Sequence, residues 1–164
     1  MSQPSAPAEP TMPPAEPPPV LTPLPRDELL AALNELLEAE RAGARVAMES
    51  AREAPSPELT ALVQDIHKDE VRWCGMLMRT IQAMDATPSS TTGAFHGKAM
   101  AIGDLDQRLN FLNRGQAWVV KRLQALIPRV EDARVRADLG EMLAAHHHNI
   151  ERVEARASGG GVEG

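Results

Sequence analysis

The sequence contains very few aromatic side chains: two Phe, two Trp and no Tyr in 164 residues. Proteins that hold single-stranded nucleic acid stack successive bases on aromatic side chains, and this chain has too few of them for such a surface. Neutralising a phosphate backbone requires a concentrated basic face, whereas the net charge here is −6. We therefore expect no nucleic-acid partner.

Cysteine is equally scarce, since Cys74 is the only one in the sequence. A single cysteine excludes an internal disulfide framework and favours a reducing compartment. The sequence has no run of about 18 apolar residues, and its N-terminus lacks the apolar core of a signal peptide. These absences predict a soluble, cytoplasmic protein with no membrane-spanning segment.

Proline and glycine are concentrated at the two ends of the chain. Ten of the fourteen prolines lie in residues 1–25, and the last seven residues read SGGGVEG. Such segments bury little apolar area, so we expect disordered tails at residues 1–25 and 158–164. The residues between them, 26–157, show helical periodicity without strand-like runs, and the 43% apolar content of the chain suffices for one all-α domain.

Four amphipathic segments follow one another along this domain, at about residues 27–51, 57–84, 105–127 and 130–157. Apolar residues recur in each at steps of three and four, the period of a helix with one buried face. The intervening residues 85–103 are rich in turn formers. At about 3.3 Å per residue they could reach about 60 Å, which exceeds the length of about 42 Å of a helix of about 28 residues. The sequence therefore predicts a four-helix bundle in which a long crossover allows the second and third helices to run parallel.

Each predicted helix carries one polar residue in the middle of its apolar stripe. These residues are Glu40, Glu70, Gln116 and His146, and Asn149 lies one turn beyond His146. The midpoints of helices in a bundle coincide whether neighbours run parallel or antiparallel. We therefore expect the four side chains to meet in one buried layer, with Asn149 a turn away.

Two buried carboxylates cannot both stay ionised without a partner, because burying a charge costs several kcal/mol. A divalent metal ion, protonation of one acid, or an ion pair with a charged His146 held by Gln116 and Asn149 would each neutralise them. Two acids and one imidazole would suit iron, manganese or zinc, with amide oxygens as weaker ligands. A direct bond between Asn149 and Gln116 is a further alternative. We favour a metal-free polar network over a single metal ion, and a single ion over an altered dinuclear centre.

Two segments resemble the ferritin-like di-iron carboxylate proteins, the bacterioferritins especially. Residues 33–44, LNELLEAERAGA, are similar to the first helix of that family, in which an LN-x-LL run leads to a ligand Glu at the position of Glu40. Residues 69–77, DEVRWCGML, are similar to its second helix, whose Glu-x-x-His motif falls on Glu70 and Trp73. The resemblance covers all four predicted helices and implies a ferritin-like bundle with a long crossover before the third.

The same resemblance implies six metal-ligand positions, of which two keep the residue of the family. Glu40 and Glu70 are retained, whereas the other four positions hold Trp73, Gln116, His146 and Asn149. A di-iron centre needs about four carboxylates, and Trp73 should fill the volume of one metal ion. We therefore expect a ferritin-like protein without di-iron redox activity, in which a buried polar layer replaces the metal centre. The alternative is a metal-binding protein or a metal-dependent oxidoreductase with a single-metal site.

The third predicted helix also has an apolar strip on its outer face, formed by Phe111 and Trp118. Either the crossover folds over this strip, through residues such as Phe95, or a second copy of the chain covers it. Gly115 lies between the two aromatic residues and would let a partner approach closely. We favour a homodimer through this face.

Overall fold

The computed structural model describes residues 7–8, 10–13 and 21–159. In chain order, the helices are α1 (Arg26–Glu53), α2 (Pro57–Ala83), the short α3 (Phe95–Met100), α4 (Leu105–Leu126) and α5 (Ala133–Gly159), and a 3₁₀ turn (Ile127–Arg129) follows α4. These described ranges contain no strand, which confirms the predicted all-α class. None of the helices within them combines the length and the apolar character needed to cross a membrane.

Two of the helices begin at the residues that the sequence indicated. The Oγ of Ser56 accepts a hydrogen bond from the N–H of Leu59 at 3.2 Å, and Pro57 takes the first helical position of α2. The carboxylate of Asp104 accepts from the N–H of Gln107 at 2.9 Å and caps α4 in the same way. Local side-chain bonding therefore fixes where both helices start.

The four long helices form a bundle in which each packs on two neighbours. Helix α1 packs along α2 and α4, and α5 packs along the same two helices. Leu59 and Leu109, near the starts of α2 and α4, share one apolar cluster, whereas Ile81 and Leu123, near their ends, share another. Helices α2 and α4 therefore run parallel, as the length of the crossover allows.

The N-terminal segment joins the bundle a few residues earlier than predicted. The N–H of Leu24 donates to the carbonyl of Arg129 at 3.0 Å, and the Nε of Arg129 donates to the carbonyl of Thr22 at 3.0 Å. Leu24 also packs against the apolar cluster at this end, so its side chain adds buried apolar area to the core. Most of the predicted tail of residues 1–25 lies outside the described residues.

The C-terminal boundary differs from the prediction by two residues. Helix α5 continues to Gly159, so the first two residues of the predicted tail, 158–164, are helical. The other residues of that tail, 160–164, lie outside the described part of the chain.

The crossover between α2 and α4 is fastened along α1. The N–H of Ser89 donates to Oδ1 of Asn34 at 2.8 Å, and the hydroxyl of Thr91 donates to Oε1 of Glu38 at 2.6 Å. The guanidinium of Arg41 donates to the carbonyl of Thr91 at 2.7 Å. The sequence predicted a connection without regular structure here, and α3 was missed because six residues are too few for a helical period to show.

The far end of the crossover is held by Arg108, which is only 2% exposed. Its Nε donates to the carbonyl of Ile102 at 3.0 Å, and its guanidinium contacts Ser50 and forms an ion pair with Glu53. A buried guanidinium is tolerated when its donors are paired in this way. Arg108 thus ties the end of the crossover to the end of α1.

Helix α3 covers part of the outer face of α4. The ring of Phe95 stacks on that of Phe111 with centroids 5.0 Å apart and planes 12° apart. A Cβ added at Gly115 would lie 2.7 Å from Cζ of Phe95. The close approach that this glycine permits is therefore made by Phe95 of the same chain. The prediction that Gly115 lets a second chain approach is wrong. Trp118 stays 39% exposed, with the guanidinium of Arg122 5.0 Å from its ring. The homodimer stays a prediction, and Trp118 rather than the whole strip is now its predicted contact surface.

Candidate metal centre

The predicted polar residues lie between two apolar clusters of the bundle. Each long helix contributes a residue to the cluster on one side, namely Leu37, Trp73, Val119 and Met142. Each also contributes to the cluster on the other side, namely Val46, Ile66, Leu112 and Val153. Between them, each at most 3% exposed, lie Glu40, Glu70, Gln116 and His146. The four helices therefore place these side chains at one level of the core, in a buried polar layer.

His146 and Glu40 are in direct contact within this layer. The Nε2 of His146 lies 2.9 Å from Oε1 of Glu40, and its Nδ1 lies 2.8 Å from the carbonyl oxygen of Met142. A carbonyl can only accept, so Nδ1 carries the hydrogen and Nε2 is the atom that faces the layer. A bond from Nδ1 to a backbone carbonyl is also how metal-binding imidazoles are oriented when Nε2 is the ligand atom.

The charge on His146 depends on this contact. Burial acts to lower the pKa of His146, but the negative charge of Glu40 and the hydrogen bonds to Glu40 and Met142 outweigh it, and the pKa is raised above its usual value. Without a metal ion, a proton is therefore held between Nε2 of His146 and Oε1 of Glu40.

Glu70 is buried against the backbone of α1. A Cβ added at Gly43 would lie 2.5 Å from Oε1 and 2.7 Å from Oε2 of Glu70, so the missing side chain at Gly43 makes the space for the carboxyl group. Oε2 of Glu70 has no hydrogen-bond partner among the described residues. Burial, followed by the negative charges of Glu40 and Asp69, raises the pKa of Glu70 well above its ordinary value. Without a cation, burial and these neighbouring charges therefore favour the protonated, neutral form of Glu70.

Glu40, Glu70 and His146 each offer one ligand atom to a common space. These atoms all lie within 4.8 Å of one another. An ion bound at about 2.0–2.2 Å to each ligand requires them to be about 4.4 Å apart or closer, so side-chain shifts of a few tenths of an ångström would complete the set. Among the described residues, Oε2 of Glu40 is also without a partner. The three residues fit one divalent metal ion.

Two of the six ligand positions that the resemblance implies hold residues of different chemistry. Trp73 stands where the resemblance to ferritin-like proteins implies a ligand histidine, and it is 2% exposed. An indole N–H is a donor only and cannot bind a metal. Gln116 stands at another of the implied ligand positions, and its neutral amide adds no charge to balance a second cation. Neither residue therefore supplies the ligand that the resemblance implies at its position.

Asn149 is buried, but its amide group forms a hydrogen bond with a residue other than Glu40, Glu70 and His146. Its Nδ2 donates to Oδ2 of Asp69 at 3.0 Å, so the predicted bond between Asn149 and Gln116, and its suggested role in holding His146, are wrong. The physical reason is that the carboxylate of Asp69 is a charged acceptor and forms a stronger hydrogen bond than an amide. Asn149 thus links α5 to α2 beside the layer.

A cavity of about 360 Å³ reaches from the protein surface to the polar layer. Its buried end is lined by Glu40, Glu70, Gln116 and His146. Its walls are mainly apolar and include Ala39, Leu112, Gly115 and Val119, and its more exposed end is bordered by Glu35, Phe95 and Trp118. A small molecule that entered this cavity would meet the polar layer directly.

A family model with the description "Domain of unknown function (DUF6306)" matches residues 27–155. The chain belongs to this family. No curated protein matches the chain. Among solved structures, the fold of this DUF6306 chain is similar to that of a dodecameric thioferritin, the bacterioferritin-related protein from Bacteroides fragilis. The TM-score is 0.67 at 12% sequence identity, over 85% of this chain and 94% of that chain, which confirms the ferritin-like fold.

Two residues that shape the DUF6306 site were not identified from the sequence. Gly43 lies on the same helix as Glu40, three residues later, and a glycine inside a helix usually has a packing reason. That signal was available and pointed to a close approach at this position. Asp69 gave no such signal, because helical stepping places it on the flank of α2 rather than in the apolar stripe.

Proposed function

We propose that this DUF6306 protein binds one divalent metal ion in its buried layer through Glu40, Glu70 and His146. The observation that carries the proposal is the convergence of three buried ligand atoms within 4.8 Å of one another. Two carboxylates and a neutral imidazole would balance a doubly charged ion, so the loaded layer would carry no net charge. Fe²⁺, Mn²⁺ and Zn²⁺ all accept such a set of oxygen and nitrogen ligands.

A protein that binds one ion in this way would not carry out the two-metal redox chemistry of di-iron proteins. The support for one ion is the indole of Trp73 and the neutral amide of Gln116 at two of the six implied ligand positions. When bound, a single ion would supply a Lewis acid at the buried end of the cavity. The protein's own contribution is to orient His146 through Met142, to seat Glu70 against Gly43, and to place the layer at the buried end of a mainly apolar cavity.

A second candidate function is a metal-free bundle that acts in assembly or in partner binding. The contact of 2.9 Å between His146 and Glu40 favours it, because a shared proton neutralises one acid without a cation. In that case the layer would serve to fix the register of the four helices.

We also propose a cytoplasmic location and a homodimer. The single cysteine supports the location. The exposed ring of Trp118 supports the dimer. The dodecameric state is that of the similar protein from Bacteroides fragilis; it supports self-association here without indicating the number of subunits.

The metal proposal is tested with untagged, full-length protein. Elemental analysis after purification, followed by titration of chelator-treated protein with Mn²⁺, Zn²⁺ and anaerobic Fe²⁺, should give about one ion per chain. The variants Glu70→Gln and His146→Gln should each lose at least about 100-fold in affinity, which is more than the removal of a merely orienting residue produces. His147→Gln is the matched control, because His147 is exposed on the same helix.

Two outcomes would contradict the proposal. One is the absence of binding to the chelator-treated wild type, which would favour the metal-free bundle. The other is binding that His146→Gln leaves unchanged and His147→Gln weakens, which would place the ion on the surface histidines.

A further inference from the structure

The cavity is lined by a buried polar side chain that is not a proposed metal ligand and forms no hydrogen bond within the described bundle. Gln116 is 2% exposed and lines the buried end of the cavity. Neither its Oε1 nor its Nε2 has a hydrogen-bond partner among the described residues. Buried amides in folded proteins are nearly always paired. An unpaired donor and an unpaired acceptor on one side chain that lines a cavity would both be satisfied by a ligand that supplies the complementary pair.

We propose that this cavity binds a small neutral molecule with an apolar body and a head group like a primary carboxamide, which pairs with the side chain of Gln116. A carboxamide presents an N–H donor beside a C=O acceptor. Facing Gln116, it would donate to Oε1 and accept from Nε2, so that both atoms are satisfied at once.

The size and the walls of the cavity suit such a ligand. Its volume of about 360 Å³ falls within the range of about 300–1,000 Å³ that is typical of small-molecule sites. It is also more than twice the cavity of about 150 Å³ that accepts benzene in an engineered protein. The walls contributed by Leu112, Val119, Phe95 and Trp118 are apolar. One aromatic ring with a short chain to the head group therefore matches the available space.

The acidic lining of the cavity and the hydrogen-bonding needs of Gln116 disfavour an anionic ligand. Glu40 and Glu70 lie at its buried end, and Glu35 and Glu38 also line it. The hydroxyls of Ser89 and Thr91 both donate to the carboxylate of Glu38. A carboxylate ligand would have to pass the acidic side chains of Glu35 and Glu38, and it has no donor for Oε1 of Gln116.

The hydrogen-bonding needs of Gln116 exclude a cationic ligand. An ammonium group has three donors and no acceptor. It could satisfy Oε1 of Gln116 but would leave the Nε2 donor unpaired. A neutral head group with one donor and one acceptor is the class that satisfies both atoms.

The experiment uses three probes of nearly the same shape that differ in the head group. These are 3-phenylpropanamide, the isosteric ketone 4-phenylbutan-2-one, and the anion 3-phenylpropanoate. Binding to the full-length protein is measured by calorimetry and by ligand-observed NMR. We expect the amide to bind about tenfold more tightly than the ketone, which lacks the donor to Oε1 of Gln116. The anion should bind most weakly.

Three variants locate the interaction. Gln116→Leu should abolish the preference for the amide over the ketone, whereas Gln124→Leu, at an exposed position on the same helix, should keep it. Ala39→Leu should narrow the cavity while Gln116 itself is unchanged, and it should weaken binding of the amide and of the ketone together. The proposal is overturned if the wild type binds none of the probes at millimolar concentration, if it binds amide and ketone equally, or if Gln116→Leu retains the preference.

The inference does not depend on the metal proposal, because Gln116 is outside the group of three ligands. The probes are therefore measured on chelator-treated protein and on protein supplied with Mn²⁺, and the amide preference is expected in both. Loss of metal binding with the preference intact would contradict the metal site alone. Stoichiometric metal binding without the preference would contradict the cavity ligand alone.

Discussion

Replacement of Gly43 by alanine should change both the metal affinity and the free energy of unfolding, and the two effects can be measured separately. The added Cβ would lie 2.5 Å from Oε1 and 2.7 Å from Oε2 of Glu70, which is far inside contact distance. Glu70 is 3% exposed, so its carboxyl group must move within a packed core. Gly43→Ala therefore displaces one of the three proposed ligands without changing any of them.

Two opposing effects set the change in the free energy of unfolding. Alanine in place of glycine inside a helix stabilises by about 0.5–1 kcal/mol. Extra volume in a packed core destabilises by about 1–3 kcal/mol. The net result for Gly43→Ala should therefore lie between no change and a loss of about 2.5 kcal/mol. Gly140→Ala is the matched control, because a Cβ at Gly140 on α5 meets nothing within 4 Å and should show the helix gain alone.

Urea unfolding and metal titration of both variants measure the two effects. We expect Gly140→Ala to be more stable than the wild type with an unchanged metal affinity. Gly43→Ala should be less stable than Gly140→Ala and should lose at least about tenfold in affinity, as displacement of a ligand or of its support does. If Gly43→Ala gained as much stability as Gly140→Ala and kept its metal affinity, the placement of Glu70 against Gly43 would be refuted.

Three further predictions concern the layer and the outer face. His146→Leu should lower the free energy of unfolding by roughly 3–5 kcal/mol, because it leaves Glu40 buried without its partner, and the additional change of Glu40 and Glu70 to Gln should recover part of this; an unchanged urea midpoint would argue against it. In chelator-treated protein the urea concentration at the unfolding midpoint should decrease as the pH is raised from 5 to 8, because Glu70 and His146 both have raised pKa values in the folded state. Their stabilising contributions are complete below the unfolded-state pKa values and are lost as the pH rises through the folded ones, so a flat or rising profile would contradict the assignment. Trp118→Glu should convert the predicted dimer to a monomer in light scattering, and a monomeric wild type would remove the dimer from consideration.

The fold was predictable because its main signals are local. The steps of three and four along each apolar stripe identify the buried face of a helix, and the side chains of Ser56 and Asp104 mark where two helices begin. The length of the crossover was enough to allow the parallel arrangement of α2 and α4. The parts that were missed, α3 and the docking of Leu24, depend on tertiary contacts made by segments too short to show a period.

The candidate site was predictable only in part, for a related reason. Periodicity shows that Glu40 and His146 point into the core, and the coincidence of helix midpoints brings them to one level. It does not show how neighbouring helices are rotated against each other. The bond between Asn149 and Asp69 depends on that rotation, since Asp69 lies on the flank of its helix and reaches α5 only in the assembled bundle.

The layer is compatible with the fold before any metal binds because protons can take the place of the ion. In the metal-free state one proton is held between His146 and Glu40, and another neutralises Glu70, whose pKa is raised by burial and by its acidic neighbours. One divalent ion would replace these two protons and leave the net charge of the layer unchanged. A bundle that keeps its core neutral in both states does not require the metal in order to fold. The buried acids are therefore not by themselves an argument for an obligatory metal, and the decisive observation is the common space onto which their oxygens and the Nε2 of His146 converge.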